Sequence, residues 1–375
     1  MTNNSYDVAI VGGGIVGAAC AAEFARERMR VVVIESDIIG GGATAAGMGH
    51  IVVMDDSDAQ FALTRYSQQL WREMREELPP EVEFESCGTI WVAADDEEMR
   101  EVRRKESYYG ARNTPTQVLD LSALHEAEPH LRDGLAGGLL VPEDAVVYPP
   151  CAAGYFMRSA QSAGAELRLG RAVRIEPGIV HLEDGTTVSA GIVVNAGGAS
   201  SPALTPGLEI KKRKGHLVIT DRYPGYVRHQ LVELGYLKSA HSLTSDSVAF
   251  NVQPRRTGQL LIGSSRQYGA EHKEVDPMMV RRMLARALEY MPGLGQLVAI
   301  RTWTGFRAAT PDKLPLIGPS PACPGLFLAT GHEGLGITTS LATAKLLVDQ
   351  VLNRRSAIPV QPYLPARVEE NAHAH

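Results

Sequence analysis

One segment near the start of the chain constrains the fold more than any other, because it combines two strand-like runs with a glycine turn and a helix. Tyr6–Val11 is apolar and rich in β-branched side chains, as in buried parallel strands. A glycine turn leads from it into an alanine-rich stretch, and a second apolar run, Val31–Ile34, ends at Glu35. The turn has the pattern GxGxxG, formed by Gly12, Gly14 and Gly17. This order predicts a parallel strand–helix–strand unit.

The same glycine pattern predicts a ligand. The first glycine permits the tight turn, the second lets the backbone approach a phosphate, and the third lets the helix pack closely on the strand. The N–H groups at the start of the helix favour an anion at this point. Glu35, eighteen residues after Gly17, is placed to accept hydrogen bonds from ribose hydroxyls. Together these residues predict a dinucleotide site.

Two later runs indicate that the nucleotide-binding domain is discontinuous. Ile192–Ala196 and Leu326–Thr330 both have the character of central strands, and a helix is predicted from about Ile337 to Leu352. We expect all three strand-like regions to lie in one sheet. The predicted nucleotide-binding domain is residues 1–85, 145–205 and 305–375, and the predicted second domain is residues 86–144 and 206–304.

The second domain is predicted to be smaller, with an α+β fold and a mostly antiparallel sheet. Strand-like alternation occurs at Thr89–Val92, Val248–Phe250 and Leu260–Ile262. Asp276-Pro277 predicts the start of a helix that reaches about Met291. Its predicted core face consists of Val280, Leu284, Ala287, Leu288 and Met291.

Composition excludes several classes of protein. The chain has 375 residues and a net charge of −6 (37 basic against 43 acidic residues), which gives no reason to expect a nucleic-acid partner. No apolar run approaches the roughly 20 residues of a membrane span. The early start of the first strand leaves no room for a signal peptide. Four widely spaced cysteines fit a reduced protein, so we expect a cytoplasmic location, no disulfide framework and no metal site.

A second small-residue run extends the pattern into a resemblance to a known family. Gly40–His50 is rich in glycine and alanine, which lets the backbone lie against a flat ligand. With Asp312–Gly318 and Ala329–His332, the chain resembles the D-amino-acid oxidase, glycine oxidase and sarcosine oxidase family of flavoproteins. The resemblance covers nearly the whole chain and is strongest at its two ends. It implies FAD as the cofactor, bound by a Rossmann-like domain.

The resemblance also implies which residues hold the FAD. Those for the ADP moiety are Gly12, Gly14, Gly17 and Glu35. Those along the pyrophosphate, the ribityl chain and the flavin ring are Ala43, Thr44, Ala45 and Gly47. Val173 corresponds to a backbone contact with adenine. The helix start near the flavin N1/C2 edge contains Gly334, Gly336, Ile337 and Thr338. Cys323 lies outside the covalent attachment motif of the family, so the FAD is expected to be noncovalent.

One arginine carries the substrate prediction. Trp303–Asp312 resembles a family segment whose arginine binds the substrate carboxylate, which assigns that role to Arg307; a surface salt bridge is the alternative. His50, His332 and Glu333 either tune the protonation of the substrate amine or contact the substrate, and structural roles in the flavin pocket are the alternatives. Asn251 takes the approximate place of a substrate-binding tyrosine.

The turn at His332–Gly336 lacks the second arginine found in glycine oxidases, which favours another substrate. Its sequence is similar to the subgroup with D-hydroxyproline dehydrogenases, opine oxidase subunits and hydrogen cyanide synthase subunits. The expected reaction is hydride transfer from Cα of D-hydroxyproline or D-proline to flavin N5, giving a pyrroline carboxylate. The alternatives are oxidation of glycine, sarcosine or an opine within a hetero-oligomer, a flavin-containing assembly subunit, and a nicotinamide dehydrogenase. The electron acceptor and the choice between homo- and hetero-oligomer stay open.

A basic run, Lys211–Lys214, is the remaining charged feature. We expect a solvated turn there. In the subgroup named above, such a run could instead meet a partner subunit or the phosphate of a second flavin.

Overall fold

A computed structural model describes residues 6–235 and 246–368 of the chain. The chain divides into two compact units. The first unit contains the chain up to Val82, Pro149–Lys212, and the chain from Phe306 onward; the second contains Glu83–Tyr148 and Arg213–Gly305. The sequence predicts a first domain of residues 1–85, 145–205 and 305–375. The predicted first domain and the first unit of the structure thus each consist of three separate segments of the chain.

The strands among the described residues are, in chain order, β1 (Tyr6–Val11), β2 (Val31–Glu35), β3 (His50–Ile51), β4 (Thr89–Ala93), β5 (Gln117–Leu119), β6 (Gly137–Val141), β7 (Ala145–Val146), β8 (Glu166–Leu169), β9 (Ala172–Glu176), β10 (Ile179–Leu182), β11 (Thr187–Asn195), β12 (Lys211–Arg222), β13 (Gln230–Glu233), β14 (Ser247–Pro254), β15 (Gln259–Arg266), β16 (Ala299–Ala309), β17 (Leu316–Pro319), β18 (Leu326–Thr330) and β19 (His332–Glu333).

The α-helices of the same residues are α1 (Ile15–Arg26), α2 (Asp58–Glu73), α3 (Asp96–Gly110), α4 (Leu121–Ala127), α5 (Pro149–Ser162), α6 (Ser201–Leu204), α7 (Pro277–Tyr290) and α8 (Gly336–Val351). None of them is both long enough and apolar enough to cross a lipid bilayer.

The sheet of the first unit has the main strand order β17-β18-β11-β1-β2-β8, along which only the edge strand β17 runs antiparallel. Strands β9 and β10 extend the same sheet from β11 through antiparallel pairs. Val193 of β11 lies opposite Ala9 of β1 on one side and Leu326 of β18 on the other. The prediction that these three runs share one sheet is therefore confirmed. Their side chains are buried on both faces, which explains why they read as continuous apolar runs.

Small side chains let α1 pack tightly within the first unit. Ala18, Cys20 and Ala21 are fully buried, and α1 packs against α5 and α8. Helices with such small contact residues can approach one another closely. Because α1 follows β1 and α8 follows β18 after a few residues, both helices begin beside the carboxyl ends of the parallel strands. This is the usual place for a ligand in such sheets.

The sheet of the second unit has the order β16-β12-β15-β14-β13-β4-β6-β5. It is mostly antiparallel, as predicted, and β13 runs parallel to β4. One face packs on α7, where the rings of Phe250 and Tyr290 stack with centroids 4.5 Å apart. At the other end of β16, Ala308 and Ala309 belong to the first unit and pair with β19.

The prediction for α7 is right about the helix and partly wrong about its face. Asp276 caps the helix by accepting hydrogen bonds from the N–H groups of Met278 and Met279. Leu288, predicted to be in the core, is 38% exposed. The fully buried side chains within the helix are Met279, Met283, Ala287 and Tyr290. Of the other predicted core residues, Ala287 and Met291 are buried, and Val280 and Leu284 are partly buried against the same core, so only Leu288 departs from the prediction.

The basic run is also different from its prediction. Lys211 begins strand β12, and the side chains of Arg213 and Lys214 are buried rather than solvated. Arg213 donates a hydrogen bond to the Tyr268 hydroxyl at 3.3 Å, and the Lys214 ammonium donates to the carbonyl of Glu274. Buried cations need such partners. A cluster of charges in the sequence therefore does not by itself identify a solvated turn.

Candidate active site

The glycine turn after β1 has the geometry that its sequence predicts. Gly12 has a φ of +105°, and a Cβ atom there would lie 2.6 Å from the carbonyl oxygen of Ala196. A Cβ atom on Gly17 would lie 2.0 Å from the carbonyl oxygen of Gly12. Neither position can carry a side chain without moving backbone. The two glycines thus close the turn and bring α1 against the strand.

The start of α1 and the Glu35 carboxylate lie together at this turn. Gly14 is the N-cap residue of α1 and has no side chain that could accept a hydrogen bond from the first N–H groups of the helix. Glu35 accepts a hydrogen bond from the Gly13 N–H at 2.7 Å through Oε2 and one from the Asp37 N–H at 2.9 Å through Oε1. A carboxylate has about four acceptor positions. The Ser36 hydroxyl also donates to Oε1, at 3.3 Å, so Glu35 keeps about one acceptor position for a ribose hydroxyl.

The loop containing Gly40–Gly47 connects the first turns of α1 and α8. The buried Thr44 hydroxyl accepts a hydrogen bond from the Ile15 N–H at 3.0 Å. A Cβ atom on Gly47 would lie 2.7 Å from Cδ1 of Ile337 in α8. Ala43 and Ala45, on either side of Thr44, are exposed. The loop thus presents small side chains and backbone between two helix N-termini.

Exposed aliphatic side chains occur in the segments near Glu35. Leu169 of β8 lies opposite Glu35 and is 68% exposed, and the Gly170 N–H donates to the Glu35 carbonyl at 2.8 Å. Ile38 and Val173 are also large, exposed apolar side chains. Apolar surface of this kind fits contact with a planar base such as adenine.

Two residues from elsewhere in the first unit, His50 and Trp71, hold the start of α8. The Thr338 hydroxyl donates to the His50 carbonyl at 2.8 Å, and the Trp71 indole N–H donates to the Thr338 carbonyl at 3.2 Å. No side chain caps α8 at Leu335. The partial positive charge at a helix start favours electron-rich ligand atoms. Neither the contact of Trp71 nor that of His50 is evident from the sequence.

Arg307 lies beside this same turn. It precedes Ala308 and Ala309, which pair with Glu333 and His332 of β19. A Cβ atom on Gly334 would lie 3.6 Å from Arg307 Nε, within van der Waals contact. Glu333 has a φ of +51°, and its Oε2 accepts a hydrogen bond from the Gly334 N–H at 2.7 Å. The pairing of β16 with β19 therefore brings a guanidinium and a carboxylate to the start of α8.

His332 lies in the same turn but is buried. Its Nε2 is 2.9 Å from the Thr343 hydroxyl in α8, and burial lowers its pKa to about 3. The imidazole is therefore neutral at physiological pH and is not a charged acid. A neutral imidazole is compatible with both predicted roles of His332, contact with the substrate and a structural role in the flavin pocket. Thr343 is absent from the predicted site, although a threonine within the apolar sequence of α8 is the signal that could have identified it.

Asn251 belongs to the second unit, unlike the other candidate substrate residues. It lies in β14 opposite Val232 and opposite Gly263 of β15. Its side chain is buried, and its Oδ1 has no hydrogen-bond partner among the described residues. A buried amide oxygen without a partner is unusual and marks a place for a water or a ligand group.

The first unit therefore has the features of an FAD-binding α/β domain. Its glycine turn would accommodate a pyrophosphate, and Glu35 would bind a ribose. The small-residue loop and the turn before α8 would accommodate a flat ring system. These fit an FAD molecule, since each part of the cofactor has a matching group in this chain.

The comparisons with known proteins agree with that class. The family described as DAO, FAD dependent oxidoreductase, matches residues 7–350, and the chain belongs to it. The chain is thus an FAD-dependent oxidoreductase, and the family settles the choice between FAD and a nicotinamide cofactor.

Named relatives in the family cover the chain almost completely. Glycine oxidase of Geobacillus kaustophilus is 30% identical in an alignment of 374 positions that covers 96% of each chain. The crystal structure of glycine oxidase from Geobacillus kaustophilus superimposes with a TM-score of 0.86 at 29% identity, covering 96% of this chain and 98% of the other. The hydrogen cyanide synthase subunit HcnC of Pseudomonas aeruginosa is 27% identical in an alignment of 424 positions that covers 98% of this chain and 97% of HcnC.

Proposed function

We propose that the protein oxidises the Cα–N bond of a small amino acid, and that D-hydroxyproline or D-proline is the substrate and a pyrroline carboxylate the product. The observation that carries the proposal is the position of Arg307 beside Gly334 and the start of α8. A guanidinium can bind a carboxylate through two parallel hydrogen bonds, which restricts the orientation of the bound amino acid. FAD, when bound, supplies the acceptor for the hydride that leaves Cα.

The protein's contribution is binding and orientation. The neutral amine of the substrate supplies the electron pair that forms the C=N bond as the hydride leaves Cα, so little acid–base chemistry is needed. Arg307 holds the carboxylate, which presents Cα–H in one direction. Glu333, beside it, is proposed to contact the substrate amine, and His50 to line the pocket. Asn251 is proposed to accept a hydrogen bond from the substrate.

The cofactor residues are proposed from the geometry described above and from the family. The ADP moiety would be held by Gly12, Gly14, Gly17, Glu35 and Val173. The pyrophosphate, the ribityl chain and the ring would be held by Ala43, Thr44, Ala45, Gly47, Gly334, Gly336, Ile337 and Thr338. We propose that the FAD is noncovalent, since Cys323 donates to the Pro324 carbonyl in the loop before β18 and lies outside the attachment motif.

Two substrates compete for this site. D-hydroxyproline is supported by the sequence resemblance and by Gly334, because the turn lacks a second arginine. Glycine is the second candidate, and it is supported by the relatives named glycine oxidase. A ring substrate is larger than glycine, and Gly334 leaves space beside Arg307 that an arginine side chain would fill.

Anaerobic titration of the FAD-loaded protein tests the proposal. We expect D-hydroxyproline and D-proline to bleach the flavin absorbance, with a smaller effect from glycine, sarcosine or an opine. Bleaching by glycine alone would replace the substrate assignment and retain the chemistry. If no amino acid bleaches a bound flavin, self-sufficient amino-acid oxidation is wrong and a role as an assembly subunit gains support.

Assembly and location are proposed separately. A hetero-oligomer is supported by the relative named as a subunit of hydrogen cyanide synthase. Co-purification of small subunits with the native protein would support it, whereas a homo-oligomer with full activity would exclude it. A cytoplasmic location is supported by the four cysteines, all of which are free thiols.

A further inference from the structure

A buried pair of side chains in the first unit determines where a proton sits. His332 is 7% exposed and Thr343 is fully buried. The imidazole Nε2 and the threonine Oγ1 are 2.9 Å apart, a normal hydrogen-bond distance. Because a buried hydroxyl requires an acceptor for its proton, the direction of this hydrogen bond can be worked out from the neighbouring contacts.

The hydroxyls near Thr343 in α8 donate to the helix backbone. Thr339 donates to the Leu335 carbonyl at 2.8 Å, and Ser340 donates to the Ile337 carbonyl at 3.0 Å. Thr343 differs, since among the described residues its side chain has a hydrogen bond only with His332. The Thr343 hydroxyl therefore donates, and His332 Nε2 accepts.

The tautomer of His332 follows from that direction. In a neutral imidazole one ring nitrogen is an acceptor and the other carries the proton. Burial keeps the ring neutral, since the pKa of His332 is about 3. Nε2 is the acceptor, so the proton is on Nδ1. Within the described residues Nδ1 has no hydrogen-bond partner, and His332 as a whole keeps a small exposed area in the turn before α8.

We propose that Thr343 is a positioning residue that fixes His332 as the Nδ1–H tautomer, and that Nδ1–H is an uncharged hydrogen-bond donor to a ligand at the start of α8. The ligand atom is an acceptor, either a carbonyl of the flavin ring or an oxygen of the substrate carboxylate. An uncharged donor orients the ligand without placing a second positive charge beside Arg307. The ligand part of the inference rests on the proposed function, and the tautomer part does not.

Nitrogen-15 NMR of histidine-labelled protein tests the tautomer directly. The chain has 11 histidines, so His332 is assigned by the signal that is lost in His332→Asn. We expect a protonated Nδ1 and an unprotonated Nε2 in the wild type. The preference of His332 for the Nδ1–H tautomer should disappear in Thr343→Val, which has the same shape without the hydroxyl, and return in Thr343→Ser. A wild-type proton on Nε2, or an unchanged tautomer in Thr343→Val, would overturn the proposal.

Two additions to the same sample identify the acceptor. A change in the Nδ1 signal when FAD is added to deflavinated protein supports the flavin carbonyl. A change that appears only when the nonoxidisable analogue pyrrole-2-carboxylate is added to the FAD-loaded protein supports the substrate carboxylate. No change in either case would contradict the donor role, even with the expected tautomer.

Kinetics of the FAD-loaded variants provide a second readout. Loss of one uncharged hydrogen bond is expected to lower kcat/KM of Thr343→Val by about 3- to 10-fold, with recovery in Thr343→Ser. A loss in Thr343→Val that Thr343→Ser does not recover would indicate packing damage instead. If the wild type oxidises none of the amino acids tested, the proposed function fails while the NMR result for the tautomer still stands.

Discussion

Burial gives His332 a pH dependence that surface histidines lack. Its pKa in the folded protein is about 3, against about 6.5 in an unfolded chain. Between these values the unfolded state binds more protons, so the free energy of unfolding falls as pH is lowered through this window. The fall from this one group approaches about 1.4 kcal/mol per pH unit.

The measurement is urea unfolding of the wild type and His332→Asn at pH 7.5 and pH 5. We expect the decrease in free energy of unfolding on acidification to be smaller in His332→Asn. The exposed His272 provides the control, since His272→Asn should keep the wild-type decrease. Equal decreases in all three proteins would show that His332 is accessible to protons.

Arg307 is predicted to act through the shape of its guanidinium. Arg307→Lys keeps the charge and loses the two parallel hydrogen bonds, so we expect kcat/KM to fall by about 10- to 100-fold, mainly through KM. Steady-state kinetics with the amino acid that bleaches the flavin checks this. Arg301→Lys, an exposed position on the same strand, is the control and should be unchanged. A normal KM in Arg307→Lys would exclude binding of the carboxylate by two hydrogen bonds.

The packing of α1 on its strand depends on one glycine. Gly17→Ala would place Cβ 2.0 Å from a backbone oxygen, so the helix must shift away from β1. We expect a loss of about 1–3 kcal/mol in the free energy of unfolding and a low ratio of flavin to protein after purification. Both quantities are measured by urea unfolding and absorbance spectroscopy.

Gly110→Ala is the matched control for that helix shift. Gly110 is the last residue of α3 in the second unit, and a Cβ atom there would meet nothing within 4 Å. Its stability and flavin content should be no lower than those of the wild type. If Gly17→Ala also retains its flavin, the close contact of α1 with the glycine turn is unnecessary for binding.

The helices and strands show where local patterns are sufficient and where they are not. The β1–α1–β2 unit is predictable because its turn, helix and strand signals all lie within thirty residues of one another. The face of α7 is harder, since Met279, Val280 and Leu288 are all apolar, and packing on the sheet decides that Met279 is buried, Val280 partly buried and Leu288 exposed. The burial of Arg213 and Lys214 is equally hard to predict. Their charge is evident from the sequence, but the hydrogen-bond partners that allow their burial are not.

The three-segment organisation of the first unit leads to a prediction for the protein as a whole. FAD should slow amide hydrogen exchange in all three segments, since its two ends are proposed to contact Gly12–Glu35 and the turn before α8. ADP, which lacks the flavin ring, should protect the glycine turn and the region of Val173 but leave the α8 turn unchanged. Protection by FAD that is confined to residues 6–82 would contradict the role of the C-terminal segment.

Local sequence by itself predicted the strand–turn–helix unit, a dinucleotide site at its glycines, and the strands that alternate or run apolar. These features depend on residues close together in the chain, whose side chains and backbone angles limit what they can form. Family resemblance pointed to Arg307, but only the tertiary structure shows it beside Gly334. The same holds for the Thr343–His332 hydrogen bond and for the neutral state of His332. Such contacts join separate elements, so strand pairing and burial decide them, and no local pattern contains that information.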